Sequence, residues 1–463
     1  MRVWVVAGEY PTPAHPERGG FVRAQVLALA SAGAEVSVFH RAAPSLRRLA
    51  ARLPARARLA EPTPTSPLTP LSRESASRES ASRESASLST EPGETAFQRA
   101  TSDSHTADDP APGAGAAPDA WVDQQGLPRA SDRGPAPTAR SAQRRVRARL
   151  REVGRRGHDG IGVALAAWLL ERELARAAAA EGKPDVVHAH NVFPAGIAAA
   201  RFAARHGIPL VVTEHSSAYR RGLLSNGELA HAESVLAQAA AVIAVSPAQA
   251  AVLPMARDRV RVIPNVVPIE DFRLRDEEAA RSEPILCIAA LTPVKGLPVL
   301  LRAYAGLPAD LRTRHRLRII GDGPDRAGLV ALTARLDLRG QVDFAGYLAP
   351  ERVREELARA ALVVSASDTE TFGLTLVEAL AAGVPFVATD SGGPRSIWRP
   401  GAGVLVPPGS PADLARGLEA ALTDNSLQAP EQDRWRRDLA ARRFGPDAIA
   451  TALLTCYTDV VAD

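Results

Sequence analysis

Lysine is almost absent from this chain of 463 residues. Lys183 and Lys295 are the only two, so arginine supplies 54 of the 56 basic side chains. A lysine at a given place therefore departs from the chain's own habit. Cysteine is equally scarce: Cys287 and Cys456 lie far apart, the first inside the apolar run ILCIAAL. This excludes a disulfide framework or a cysteine-built zinc site and favours a reduced, cytoplasmic home. No apolar run reaches the roughly 18 residues that a membrane span requires. The opening MRVWVVAGEY reads as a strand and lacks the apolar core and cleavage site of a leader. Nor is there a large excess of one charge. A net +4 over this length makes no electrostatic case for nucleic acid. With 46% hydrophobic residues, a sizeable core and two or three globular domains are expected.

The run VWVVA (3–7) has the continuous apolar character of a buried parallel strand. A loop ending in Gly19 and Gly20 follows, then FVRAQVLALASAG at helical spacing with a glycine stop, then the strand VSVF (36–39). Strand, glycine turn and helix in this order open a βαβ unit. The paired glycines are ordinary turn chemistry, and they also let a backbone approach a ligand closely. Residues 44–158 are different: rich in Pro, Ser, Ala and Arg, with RESAS three times in succession from Arg73 to Ser87. Such a segment reads as a disordered insertion. It ends in the arginine-rich ARSAQRRVRARLREVGRR, which leads into the helix candidate IGVALAAWLLERELARAAAA. Basic residues beside an amphipathic helix fit docking on an anionic membrane surface from the cytoplasmic side, although such a run is more often a solvated face or tail.

Regular α/β order then resumes. Strands are expected at DVVHAH (185–190), LVVTEH (210–215), AVIAVS (241–246) and VRVIPN (260–265), and after a linker at ILCIAAL, RLRII, VDFAG, LVVSAS, PFVAT and VLVP. The division is residues 1–43 with 159–267 as one Rossmann-like domain, 268–284 as linker, 285–445 as a second, and 446–463 as a helix packing back across the domains. The fold class is α/β, two doubly wound parallel-sheet domains facing a cleft. His188 and His190 are two apart near a strand end, where ligands of open parallel sheets bind, and His215 closes the next strand similarly.

In SASDTETFGLTLVEALAAGVP (365–385), Glu370 and Glu378 flank the start of a helix opening at Gly373 and Leu374. Its free N–H groups and positive dipole end suit a phosphate. At about 1.5 Å per residue, Glu378 lies roughly 6 Å down the axis from Leu374, so each acid could hold hydroxyls on one side of a bound diphosphate. The spacing also fits a helix-dipole acid plus a solvated glutamate. Lys295, in the loop LTPVKG, fits a point charge on a phosphate leaving group.

Together, GGFVRAQ, DVVHAHNVFPAG, LVVTEH, LTPVKG, GDGP (321–324), ETFGLTLVEALAAGVP, SGGP (391–394) and VLVPPGSPADLARGL resemble the retaining glycosyltransferases of family four, which have the GT-B fold. The resemblance implies transfer of a sugar from a nucleotide-diphosphate donor to an acceptor hydroxyl with retention, and with neither metal nor cofactor. It implies Glu378 at the ribose, Glu370 with the backbone around Phe372, Gly373 and Leu374 at sugar and phosphate, Lys295 on the diphosphate, and His190 near the transferred sugar. Gly19 and Gly20 would approach phosphates and acceptor. His190, Lys295 and Glu370 are thus the expected catalytic group, with the departing phosphate oxygen taking the acceptor's proton. The family's frequent arginine five residues before the lysine is here Ala290, for which Arg23 or Arg395 could substitute, and Ser396 stands where an acid is common. An epimerase or phosphorylase on this fold and a non-catalytic nucleotide-sugar-binding subunit stay open as alternatives. The sequence names neither donor sugar nor acceptor.

Overall fold

A computed structural model describes residues 1–11, 19–40, 160–255, 259–275 and 284–462. The RESAS repeat, the basic run before Gly160 and the rest of the expected insertion lie outside the described residues. The first half carries one parallel sheet in the order β2-β1-β3-β4-β5-β6. Its strands are β1 (Arg2–Ala7), β2 (Glu35–His40), β3 (Val186–His190), β4 (Leu210–Glu214), β5 (Ala241–Ala244) and β6 (Val260–Val262). Around it lie α1 (Gly20–Ser31), α2 (Gly160–Glu181), α3 (Ile197–His206), α4 (Asn226–Ala237) and the one-turn α5 (Pro247–Ala250).

The second half repeats the plan in the order β12-β11-β10-β7-β8-β9. Its strands are β7 (Ile285–Ile288), β8 (Leu317–Ile320), β9 (Val342–Gly346), β10 (Leu362–Ser365), β11 (Phe386–Thr389) and β12 (Gly403–Val406). Seven helices surround them: α6 (Leu297–Ala305), α7 (Ala309–Arg314), α8 (Arg326–Arg335), α9 (Pro350–Leu357), α10 (Leu374–Ala381), α11 (Gly393–Ile397) and α12 (Pro411–Thr423). Then come α13 (Pro430–Phe444) and α14 (Pro446–Ala462). All twelve apolar runs singled out in the sequence form strands.

Period-two alternation divides each strand between two cores. In β1, Trp4 and Val6 face Leu170 and Leu174 of α2 and Phe202 of α3. Val3 and Val5 face the other way, onto Val22 and Leu29 of α1 and Leu453 and Tyr457 of α14. The last helix of the chain thus covers a face of the first sheet. Helix α2 buries one side and exposes Leu165 and Trp168 on the other, with the Arg172 guanidinium stacked 4.6 Å from the Trp168 ring.

Arginines tie the linking segment to the second half. Arg275 grips Asp433 with Nε at 2.7 Å and Nη2 at 2.8 Å. Arg436, fully buried, donates to the same carboxylate at 2.8 Å and to the Gly383 carbonyl, beyond α10, at 3.0 Å. Arg437 reaches the carbonyls of Ile269 at 3.0 Å and Ala381 at 2.8 Å. One carboxylate therefore compensates two buried cations. Removing it leaves both uncompensated, which costs about 3–5 kcal/mol. Asp433→Ala is expected to lose about that much stability in urea unfolding, with the midpoint as readout.

Candidate active site

Each sheet changes winding direction at one place, between β1 and β3 in the first and between β7 and β10 in the second. The strand ends there diverge and leave a crevice, the usual ligand site of open α/β sheets. Lys295 and Glu370 come from the two loops that leave β7 and β10. Gly296, at φ 61°, lets these loops touch: a Cβ there would fall 2.0 Å from the Ala366 carbonyl oxygen. The Asp368 N–H donates to the Val294 carbonyl at 2.9 Å, a second stitch. Lys295 Nζ then meets Glu370 Oε2 at 2.7 Å, with 26% and 19% of the two side chains exposed. They line a cavity of about 130 Å³ with Ala289, Ser367, Leu374 and Thr375.

The Glu370 backbone is fixed by the SGGP segment. Its N–H donates to the Ser391 carbonyl at 3.1 Å, and its carbonyl accepts from Gly393 at 2.9 Å. A Cβ at Gly393 would lie within 2.5 Å of Phe372 backbone atoms, so a larger residue would push the segments apart. Phe372 turns its side chain into the core, edge-on to Phe444 at 5.7 Å, which leaves its backbone for a ligand. Gly373, at φ 102°, opens α10 without a side-chain cap, so the first-turn N–H groups of Leu374 and Thr375 point out of the helix end uncapped.

The Glu378 carboxyl, in the second turn of α10, makes no hydrogen bond or ion pair among the described residues, and burial raises its pKa to about 7 against a nearby Arg354 that lowers it. A half-buried carboxyl without partners is suited to receive ligand hydroxyls.

In the first half the histidines separate into two kinds. His188 is fully satisfied by Tyr457 and Thr213, both at 2.7 Å, so it is a core link. Among the described residues the His190 ring hydrogen-bonds only His215, Nδ1 to Nε2 at 2.9 Å, and its Nε2 is buried without a partner. Burial holds its pKa down at about 3, so its ring is neutral near pH 7 and can exchange hydrogen bonds with a sugar but cannot act as a cationic acid. Phe21, next to Gly20, packs on His215 with ring centroids 4.5 Å apart, which brings the glycine loop to the same cluster. The two glycines differ. Gly19, at φ 62°, is required because a Cβ would sit 2.5 Å from the Glu9 carbonyl oxygen, whereas Gly20 faces open space.

Of the candidate replacements for the missing arginine, Arg395 is held by Asp390, Nε to Oδ2 at 2.9 Å. Arg23 is exposed on α1, and its guanidinium has no hydrogen bond or ion pair among the described residues. Ala290 lies on an exposed turn against which the GDGP loop packs: a Cβ at Gly321 would fall 1.9 Å from the Ala289 carbonyl oxygen. Sequence reasoning missed Glu214, which is buried and accepts from the N–H groups of Val192 at 3.0 Å and Ser216 at 2.8 Å. It also missed Arg220 and Ser246, which reach from the first half to the donor loop. A charged residue at the end of an apolar strand was the available signal for Glu214.

The lifted Glu378 pKa has a stability consequence. The carboxyl titrates at the usual 4.5 when unfolded and near 7 when folded, so its penalty is absent below pH 4, grows as pH rises and is complete above 7. Glu378→Gln is expected to be more stable than the parent by about 2 kcal/mol at pH 8, discounted for partial exposure. Paired urea titrations at pH 4 and pH 8 measure the difference, which should vanish at the lower pH.

Comparison with known proteins agrees with this fold. Residues 270–438 match the family described as Glycosyl transferases group 1, and residues 130–271 match Glycosyltransferase Family 4. A D-inositol 3-phosphate glycosyltransferase of Acidothermus cellulolyticus is 30% identical over 336 residues, 66% of this chain and 74% of that protein. An exopolysaccharide phosphotransferase of Streptomyces coelicolor is 35% identical over 213 residues, 45% of this chain; the chain spans 22% of that relative's length. Among solved structures, Anabaena HepE in complex with UDP and glucose superposes with a TM-score of 0.63 at 17% identity, covering 99% of this chain and 100% of that one. The likeness to HepE concerns the fold: two Rossmann-like parallel-sheet halves of the GT-B type. With its matched segments running through both halves and a relative 30% identical over 74% of that protein's length, the chain belongs to the glycosyl transferases group 1 family.

Proposed function

We propose that the chain transfers a sugar from a nucleoside diphosphate sugar to a hydroxyl of a glycan or glycolipid acceptor, with retention at the anomeric carbon and without a metal. The observation that carries this reading is the Lys295–Glu370 pair, 2.7 Å apart at the uncapped start of α10. A diphosphate entering the crevice offers Lys295 a second anion and the helix N-terminus a charge to meet. Released from the lysine, Glu370 accepts from sugar hydroxyls, and Glu378 accepts from the ribose. His190 donates or accepts through its free Nε2. Relatives named for sugar transfer and the UDP and glucose of HepE support the choice of donor class.

In the proposed step, the bond from the anomeric carbon to the phosphate oxygen breaks and its electron pair leaves with the diphosphate. The acceptor oxygen bonds to the same face of that carbon, and its proton passes to the departing phosphate oxygen. Lys295 and the α10 N–H groups meet the charge that grows on the leaving group, so their effect falls on the barrier.

A panel of UDP-glucose, UDP-N-acetylglucosamine, GDP-mannose and ADP-glucose, with acceptor sugars and lipid-linked sugars, tests the reading. Lys295→Ala is expected to lower turnover by roughly a hundredfold or more; activity within a few-fold of the parent would remove Lys295 from the mechanism. Proton NMR of the product should show the donor's anomeric configuration, and EDTA should leave the rate unchanged.

A further inference from the structure

The loop that carries Glu370 is joined to a second strand-end segment by one parallel bridge, to Gly392. Two side chains of the other half complete its support. Arg220, beyond β4, donates from Nη1 to the Ala248 carbonyl at 2.9 Å and from Nη2 to the Ser391 carbonyl at 3.4 Å. The Ser391 carbonyl is the one that accepts the Glu370 N–H. One residue further, the Ser246 hydroxyl donates to the Thr371 carbonyl at 2.6 Å and accepts from the Gln249 N–H at 3.1 Å. Gln249 in turn donates to the Ser216 carbonyl at 3.0 Å, so both points of contact belong to one connected surface of the first half. Gly392, at φ 119°, makes room: a Cβ there would lie 2.7 Å from Arg220 Nη2 and 3.1 Å from the Glu370 carbonyl oxygen.

We propose that Arg220, assisted by Ser246, is a positioning residue that sets the orientation of the Glu370 peptide, and through it the carboxylate, from the opposite half of the molecule. The planar guanidinium is suited to this because its fork can donate to carbonyls on both sides of a cleft at once. Without Arg220, the Ser391 carbonyl keeps only the Glu370 N–H, and the bridge that aligns the Glu370 peptide loses its anchor to the first half. What the displaced carboxylate then fails to do rests on the reading of Glu370 given above; the clamp itself does not.

Two measurements decide it. Hydrogen exchange of the ligand-free Arg220→Gln variant should show faster amides across residues 369–372, with α10, β1 and β2 protected as in the parent. Unchanged exchange in 369–372, or faster exchange throughout, overturns the proposal. With whichever of the four donors the parent chain turns over, Arg220→Gln should lower kcat by about 10- to 100-fold, as a displacement of the order of 1 Å does. The affinity for the matching nucleoside diphosphate should stay within about twofold, because Lys295 and α10 are untouched, and Arg220→Lys should recover part of the rate. Parental turnover in Arg220→Gln, or a parallel loss of diphosphate affinity, overturns the proposal. If the parent itself turns over none of the donors, the functional reading fails and hydrogen exchange alone judges the clamp.

Discussion

A parallel strand buried on both faces leaves nowhere for polar chemistry except its ends. In β1 the residues Val3 to Ala7 are all sealed from solvent, and every neighbour in both sheets runs in the same direction. All loops that follow strands therefore emerge along one edge. This constraint assembles side chains as remote in sequence as Lys295 and Glu370, or His190 and His215, without any local motif having to bring them together.

The scarcity of lysine is informative once the pair is seen. Arginine dominates where geometry must be fixed: Arg275 and Arg436 around Asp433, Arg437 on backbone carbonyls, Arg220 across the halves. These are planar forks used as struts. Lys295 is a compact charge on a flexible stem, and it stands where the partner must change, from carboxylate to phosphate in the proposed cycle. A partly exposed pair of this kind is held only weakly against exchange, whereas the Asp433 cluster is closed to water.

The strands were legible because burial on both faces turns them into continuous apolar runs, and Lys295, Glu370 and Glu378 were legible because charges are conspicuous in such surroundings. His188 and His190 were not separable: a period of two puts both on one face, and what distinguishes them is Tyr457, 269 residues away. Arg220 offered no contrast among 54 arginines, and its link to Ser391 spans 171 residues. The proximity of Gly19 to Gly20 likewise concealed two different reasons for glycine, one a clash with the chain's own carbonyl and the other open space.

With no side chain at Gly296, the lysine loop packs directly against the Ala366 carbonyl of the glutamate loop, an approach that any Cβ would prevent. One missing side chain therefore sets how near the two charges can come: a larger residue at 296 would hold the loops apart even with Lys295 and Glu370 unchanged.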